Sequence, residues 1–391
     1  MHEGVALARM GLASLRAHNF DQALLYARQA IEVAEGRDAK PILAAGHFIT
    51  GHVYHATGQL DQAKTEFDQA LAISRSGGDA FHQSYTLAFT GQLKNWAGEF
   101  AEAARLQTEG LAIARAHNLV VPLLVGLFTN GLALTGKGDY DEALARFEEG
   151  LILSEKVGDE VYRHRLLNSL GWLVFECGDL DRAIDLNRRG AEGARQRDDH
   201  ETIANAELNL GDSFLAQGDH TLAQEFLDGV YRLAHHPATS EWMKWRYSTH
   251  LFASLAELWL ARGETARAGE FVAQCLEIAT RTNSRKYVIK GWRLQGEIAL
   301  TRRQWNEAAG WLQQARTLAQ AVGNPTQLWK THLALGRLHA AAKRPEQARQ
   351  AYQAAREVIE QVKARVQHPE LGASLERSPI FQQVYNLSEP S

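Results

Sequence analysis

The sequence predicts an all-α solenoid of about nine helix-turn-helix repeats. Three observations carry that reading: a glycine column with a period of 40, an alanine column in register with it, and a turn signal between the two. Glycines stand at Gly11, Gly51, Gly91, Gly131, Gly171 and Gly211. After a five-residue insertion the column passes through Ala256 and resumes at Gly296 and Gly336. Twelve residues after each comes an alanine, at Ala23, Ala63, Ala103, Ala143, Ala183, Ala223, Ala268, Ala308 and Ala348. Seven further on, a second small residue follows in most copies (Ala30, Ala70, Gly110, Gly150, Gly190, Ala315, Ala355), with Val230 and Cys275 as larger exceptions. Self-similarity at a fixed period marks stacked supersecondary units, none of which can bury its own apolar face alone.

The fourth unit shows how each element arises. Apolar residues run at helical spacing from Gly131 to Gly138, which suits the left-handed conformation that ends a helix. Asp139 follows as the predicted N-cap, and Glu142 completes a capping-box pattern. The second helix places Ala143, Leu144, Phe147, Leu151 and Leu153 on its buried side and ends near Val157-Gly158-Asp159. The turn recurs as Gly58-Gln59, Gly98-Glu99, Gly178-Asp179, Gly218-Asp219 and Gly263-Glu264, while Arg303 and Lys343 replace its glycine in the last two units. The small columns have a packing reason. Antiparallel helices approach closely only where a side chain is missing, and a large neighbour fills the space beside the gap. Sixteen residues after the glycine, the candidate fillers are Phe67, Phe147, Leu227, Val272, Leu312 and Tyr352.

Gly51, Tyr54, Gly58, Ala63, Phe67 and Ala70 match the spacing of the tetratricopeptide repeat signature. The chain resembles that family over roughly residues 2 to 366. The resemblance implies a right-handed α/α superhelix. The family's usual unit has about 34 residues. The longer unit here is similar to the variety in bacterial signalling regulators, kinesin light chains and G-protein-modulator scaffolds.

The register divides the chain into four segments. Residues 1–235 hold units one to six, 249–366 hold units seven to nine, and 236–248 carry the insertion. There, Pro237 with Trp242, Trp245 and Tyr247 predicts a longer loop and then an extended or shifted helix. The reading is an inter-repeat loop with a small satellite core; the alternative is a hinge. Residues 367–391 break the period, and Leu371, Leu375, Ile380, Phe381 and Val384 are placed to cap the last unit's apolar edge. The tail's PEL, Ser-Leu and Ser-Pro pattern resembles the end of large bacterial proteins joining an adenylate-cyclase or kinase module to a signal-transduction ATPase and then to such repeats. No comparable cap precedes the first unit, so the chain is expected to be a fragment, or a natural partner, of a longer regulator.

Composition narrows the class. With 391 residues, 45% hydrophobic and 23% charged, the chain can bury a sizeable core. Eight prolines suit a chain made of helices, where proline removes a donor and clashes. A net charge of -4 leaves no basic footprint for nucleic acid. Cys177 and Cys275 lie far apart without metal-ligand or CxxC spacing, which fits a reducing cytoplasm. The sequence has no run of 18 or more apolar residues and no signal-peptide pattern at its N-terminus, so neither membrane nor secretion is expected.

Catalytic patterns are missing or misleading. Gly131 to Gly138 reads G-x-x-x-x-G-K-G, but a phosphate-binding loop follows a strand and ends in Ser or Thr. His47, His52 and His55 share a helix, the last two on one face, without an acidic or cysteine partner for a metal. The His235-His236 pair sits at a helix end, where positive charge is mildly favourable. Glu148, Glu149 and Glu155 read as a solvated outer face. The expectation is a scaffold and not an enzyme, with no cofactor and no metal.

A partner belongs on the inner wall, which the first helix of each unit lines in this architecture. Counting from the column glycine, the inward positions give Gln92, Asn95 and Trp96 in unit three, and Arg165, Asn168, Trp172 and Phe175 in unit five. Asn205 and Asp212 follow in unit six, His250 and Glu257 in unit seven, Lys290, Arg293 and Glu297 in unit eight, and Lys330 and Arg337 in unit nine. Unit four offers apolar Val125, Phe128 and Leu132. Amides suit the N–H and C=O of an extended peptide, and Arg and Lys can hold a carboxylate. The expected partner is therefore a protein or peptide, or other domains of a larger regulator. The alternatives are a small-molecule sensor, with Trp96, Trp172 and Phe175 stacking on the ligand, and a homo-oligomerisation module built on solenoid edges.

Overall fold

Nine helix pairs follow the glycine and alanine register. The computed structural model describes residues 2–37, 39–236 and 239–388, and among them there is no strand. Units one to three pair α1 (His2–Arg16) with α2 (Phe20–Ala34), α3 (Lys40–Ala56) with α4 (Leu60–Gly77), and α5 (Ala80–Trp96) with α6 (Phe100–Ala116). Units four to six pair α7 (Val120–Lys137) with α8 (Tyr140–Val157), α9 (Glu160–Glu176) with α10 (Leu180–Arg195), and α11 (His200–Gln217) with α12 (His220–Ala234). Units seven to nine pair α13 (Ser248–Ala261) with α14 (Thr265–Arg281), α15 (Arg285–Thr301) with α16 (Trp305–Val322), and α17 (Pro325–Ala341) with α18 (Pro345–Arg365). Two short helices follow, α19 (Pro369–Arg377) and α20 (Pro379–Ser388).

The columns work as close-approach sites. A Cβ added at Gly131 would sit 2.3 Å from the Phe147 ring, and one at Gly336 would sit 2.2 Å from Tyr352. Every member of the alanine column is buried. In units three and five the filler is polar, which a search for apolar fillers misses. Gln107 packs on Gly91 and Asn187 on Gly171, and both side chains are fully buried. Asn187 Nδ2 donates to Ala183 O at 2.8 Å, while its Oδ1 accepts from Asn209 Nδ2 at 2.9 Å. Polar fillers are tolerated because they are hydrogen-bonded.

The turn within each pair holds one residue in the left-handed region in all nine units. Arg303 (φ 60) and Lys343 (φ 58) take it without being glycine, as does His18 (φ 56) in unit one. Asp139 departs from expectation: it stands at the N-cap position but makes no capping hydrogen bond. Lys137 Nζ at 2.5 Å and Arg365 Nη1 at 3.5 Å hold its carboxylate instead. Asp179 and Asp219 do cap their helices. On α8, Leu151 and Leu153 are only partly buried, because Gly150 and Ser154 occupy the tightest positions.

First helices pack against the first helices of neighbouring units, as α5 does on α7 and α15 on α17. Second helices form no comparable neighbour contacts among the described elements. The chain therefore curls with its first helices inside. It curls tightly enough that one gyre lands on the next, between four and five units later. Asn324 Nδ2 donates to Gly136 O at 2.7 Å across 188 residues. Asp141 accepts from the backbone N–H groups of Gln367 at 2.6 Å and His368 at 3.2 Å. Arg182 meets Glu370 at 2.8 Å.

The insertion enters this seam. Pro237 lies outside the described residues, and Met243–Tyr247 form a π-helical turn running directly into α13. Trp242, Met243, Trp245 and Tyr247 are buried, and Trp245 Nε1 donates to Ala56 O at 2.9 Å. At the other end α20 packs on α18, with Leu371, Leu375, Phe381 and Val384 buried and Ile380 partly so. The Gly131–Gly138 motif is continuous helix up to its last residue. Its helix, α7, is the one described helix long and apolar enough to cross a membrane, and 67% of it is buried inside the fold.

Candidate binding site on the inner wall

The inner wall sorts the candidate residues into three groups. Some are consumed by the fold. Trp96 Nε1 donates to Thr282 O at 3.0 Å, and the indole lies edge-on to Trp245 at 5.0 Å, inside the seam between gyres. Asn168 is fully buried against Gly190, and its Nδ2 donates to Thr202 O at 3.0 Å. Gln92 is buried as well.

Others are saturated by charge. Lys290 Nζ lies 2.8 Å from Glu257, and Arg293 lies 2.6 Å from Glu257 and 3.0 Å from Glu297. Burial works to raise the Glu257 carboxyl, but Lys290, Arg293 and Lys330 outweigh it and bring the pKa down to about 2. Asp212 pairs with His250 at 2.7 Å; His250 and Lys290 overcome its burial and hold it well below the usual carboxylate range. Arg165 reaches Glu201 at 3.1 Å and Thr202 Oγ1 at 3.3 Å.

The third group is left partly accessible or without a hydrogen-bond partner of its own. Asn205 is half-buried, Asn95 carries a buried Oδ1 without a hydrogen-bond partner, and Arg337 is exposed. Trp172 Nε1 donates to Glu176 Oε1 at 2.8 Å, leaving the ring face under the Lys286 ammonium at 4.5 Å. Lys330 Nζ sits 5.6 Å from the Trp329 ring. Burial lowers the pKa of both lysines.

Sequence reasoning missed Glu176, Lys286, Tyr287 and Thr326. Three of these stand nine or ten residues before the column glycine, one helical turn beyond the outermost inward position considered. Extending the same helical face by that turn finds them.

Catalytic and metal chemistry has little to build on. Among the described residues no group of three or more His, Cys, Asp or Glu could hold a metal ion. Burial pushes the Cys275 thiol up to about 12 and Cys177 well above its ordinary value, so neither is a ready nucleophile. His47 Nδ1 is bonded to Glu66 at 2.8 Å, whereas His52 and His55 turn into an aromatic cluster with Phe48, Phe89 and Trp242. A cleft of about 440 Å³ opens between α9 and α10, lined by Arg163, Arg189 and Arg197 with Glu160 and Glu192; Glu160 meets Arg163 at 3.0 Å and His164 at 3.5 Å.

A closed α/α superhelix of repeated pairs, with its polar groups gathered on the inside, defines the class. Two stretches, residues 46–76 and 128–200, match tetratricopeptide repeat family models, and the chain is a tetratricopeptide repeat protein. No curated protein was found to match it. Among solved structures it is similar to a Rap protein complexed with competence and sporulation factor, with a TM-score of 0.72 at 14% identity over 93% of this chain and 99% of that one. It is also similar to the Rap conjugation gene regulator of plasmid pLS20 in complex with the Phr* peptide (TM-score 0.63, 12% identity, 93% and 96% covered). NprR in complex with its cognate peptide NprX gives a TM-score of 0.54 at 11% identity, covering 88% of this chain and 98% of that one. At such identities the likeness is one of fold, the right-handed α/α superhelix.

Proposed function

We propose that this chain is a peptide receptor, holding a short extended peptide along the inner wall and serving as the sensor or regulatory arm of a bacterial signalling system in the cytoplasm. The observation that carries the reading is the set of sheltered inner-wall groups left without a partner of their own, above all the Asn95 carbonyl oxygen and the Lys286 and Lys330 ammonium groups. Buried polar groups are normally satisfied, so the unpaired Asn95 oxygen and the half-buried lysines are where a ligand's own donors and acceptors would find partners. A peptide backbone offers the alternating donors and acceptors that amides pair with. The peptides present in two structures of like fold, and the competence and sporulation factor in a third, support the same reading. Binding acts by favouring one superhelical arrangement over another, to the extent of its differential affinity.

The test is affinity selection of a random hexapeptide pool on the full chain, with a thermal shift for each recovered sequence. A ligand at about a hundredfold over its Kd stabilises the folded state by about 2.7 kcal/mol, which raises the melting temperature measurably. Trp172→Ala combined with Asn205→Ala is expected to abolish retention while preserving helix content. A pool from which nothing is retained, or retention indifferent to those substitutions, would sink the reading.

A further inference from the structure

We propose that unit five carries an anion-binding cleft, at the end of its helix pair remote from the Gly178 turn. The cleft takes a phosphoryl group, free or as the monoester of a small polar molecule. The repeat register shows how the space arises. Twenty-two residues after the column glycine, eight units carry Val, Ile or Leu, as at Ile73, Ile113, Leu153 and Leu233. Unit five alone has a glycine there, Gly193. Seven residues before the column glycine, unit five alone has a histidine, His164, where units two and six have Ala44 and Ala204. A Cβ added at Gly193 would sit 2.0 Å from His164 Nε2, so the missing side chain is what gives the imidazole its place. The buried His164 lines a cleft of about 440 Å³ between α9 and α10, a size that suits a small organic ligand.

The charged lining is as particular to unit five as the space. Arg163 stands where unit three has Gln83 and unit six has Ile203. Arg189 stands where units three and four have Glu109 and Glu149. Those glutamates are tied to the preceding helix pair, by Arg75 at 2.5 Å and by Arg115 at 2.7 Å. Unit five breaks that ladder: Arg189 turns to Asp185 on its own helix, at 3.3 Å. Arg197 follows the end of α10, and among the described residues its guanidinium has no ion pair or hydrogen bond. Against these three cations the cleft sets Glu160 and Glu192, which leaves one positive charge in excess. Burial lowers the His164 pKa, so its neutral ring can donate or accept a hydrogen bond. A carboxylate presents two oxygens in one plane, which a single guanidinium fork satisfies. A phosphoryl group presents three outward oxygens, which suit guanidinium groups reaching in from α9, from α10 and from the turn beyond. Glu160 and Glu192 repel further negative charge but accept from hydroxyls, so the remainder of the ligand is polar and uncharged.

Thermal shift and titration calorimetry on the full chain test this with inorganic phosphate, ribose phosphate and glycerol phosphate at millimolar concentration, against ribose, glycerol and succinate. The phosphorylated probes are expected to bind and the others not, and the order of affinity between inorganic phosphate and the esters identifies which source the cleft prefers. His164→Ala with Gly193→Leu rebuilds the pair that unit six has as Ala204 and Leu233. That variant closes the cleft, and it should keep its helix content and melting temperature while losing the probes. Arg163→Gln with Arg197→Gln leaves the space but should weaken binding by about tenfold or more, the scale of a charged hydrogen bond. If the rebuilt variant does not fold, the arginine pair carries the comparison. Three outcomes overturn the site: no binding by any phosphorylated probe, equal binding by succinate, or binding that survives the closed cleft or the loss of both arginines. The inner wall takes no part in it, so peptide retention stands or falls separately.

Discussion

At the residue scale, stability turns on what stands opposite each glycine. Gly131 has the Phe147 ring where its Cβ would be, whereas Gly310, on the exposed side of α16, has nothing within 4 Å. Gly131→Ala is therefore expected to destabilise by about 1–3 kcal/mol through overpacking. Gly310→Ala should stabilise by roughly 0.5–1 kcal/mol by removing unfolded-chain entropy. Urea midpoints for both variants check the opposite signs. Buried His55 and half-buried His52 set a second expectation. Burial, with His18 and Arg165 adding to it, lowers His52 from 6.5 to about 3. Burial, then His52 and Arg246, holds His55 well below 6.5. The unfolded chain thus binds more protons below pH 6.5, and stability falls as pH drops from there towards 3, by up to about 1.4 kcal/mol per pH unit for each histidine. His52→Gln with His55→Phe should flatten the difference in melting temperature between about pH 7 and pH 5, before most carboxylates titrate. An unaltered pH dependence in that variant would show the histidines are not responsible.

At the scale of the element, the turn between paired helices is conformationally demanding whichever residue occupies it. Arg303 and Lys343 hold φ near 60 where six other units use glycine. A side chain in that region costs roughly 1–2 kcal/mol, so Arg303→Gly or Lys343→Gly should each raise stability by about 1 kcal/mol without altering helix content. A destabilised Arg303→Gly would mean that the arginine side chain contributes more than its backbone strain removes. The helix starts behave less uniformly. Asp179 and Asp219 cap their helices, but Asp139 is drawn away by Lys137 and by Arg365 from 226 residues on. Capping was thus legible where no cation pairs with the carboxylate: Asp179 keeps its cap although its other oxygen accepts from the Ser374 hydroxyl of another gyre. It failed where a cation from another gyre competes.

At the scale of the whole molecule, the seam between gyres turns an open spiral into a closed one. Trp245, Asn324 and Asp141 join residues that the repeat register alone leaves unrelated. Trp245→Ala with Asn324→Ala is expected to enlarge the radius of gyration in solution scattering while the far-ultraviolet spectrum keeps its helical form. A double variant as compact as the parent would mean that curvature within the units, not the seam, sets the superhelical pitch. The extra residues before α13 belong to the same scale. They seat Trp245 over Gly58, whose added Cβ would lie 3.2 Å from the indole.

By itself the sequence determined the nine units, their close-packing columns and their turns. Each is a local steric requirement repeated at constant spacing, so the pattern carries its own evidence. It also indicated which helix faces inward. Only the tertiary structure decided which inward groups find partners within the fold. Trp96 is consumed by a carbonyl 186 residues away, Asn168 by a neighbouring helix, and Lys290 and Arg293 by Glu257. Lys286 and Lys330 keep no such partner. Whether a charge or an amide is spent or free depends on what the curled chain brings to face it, and that pairing leaves no periodic mark in the sequence.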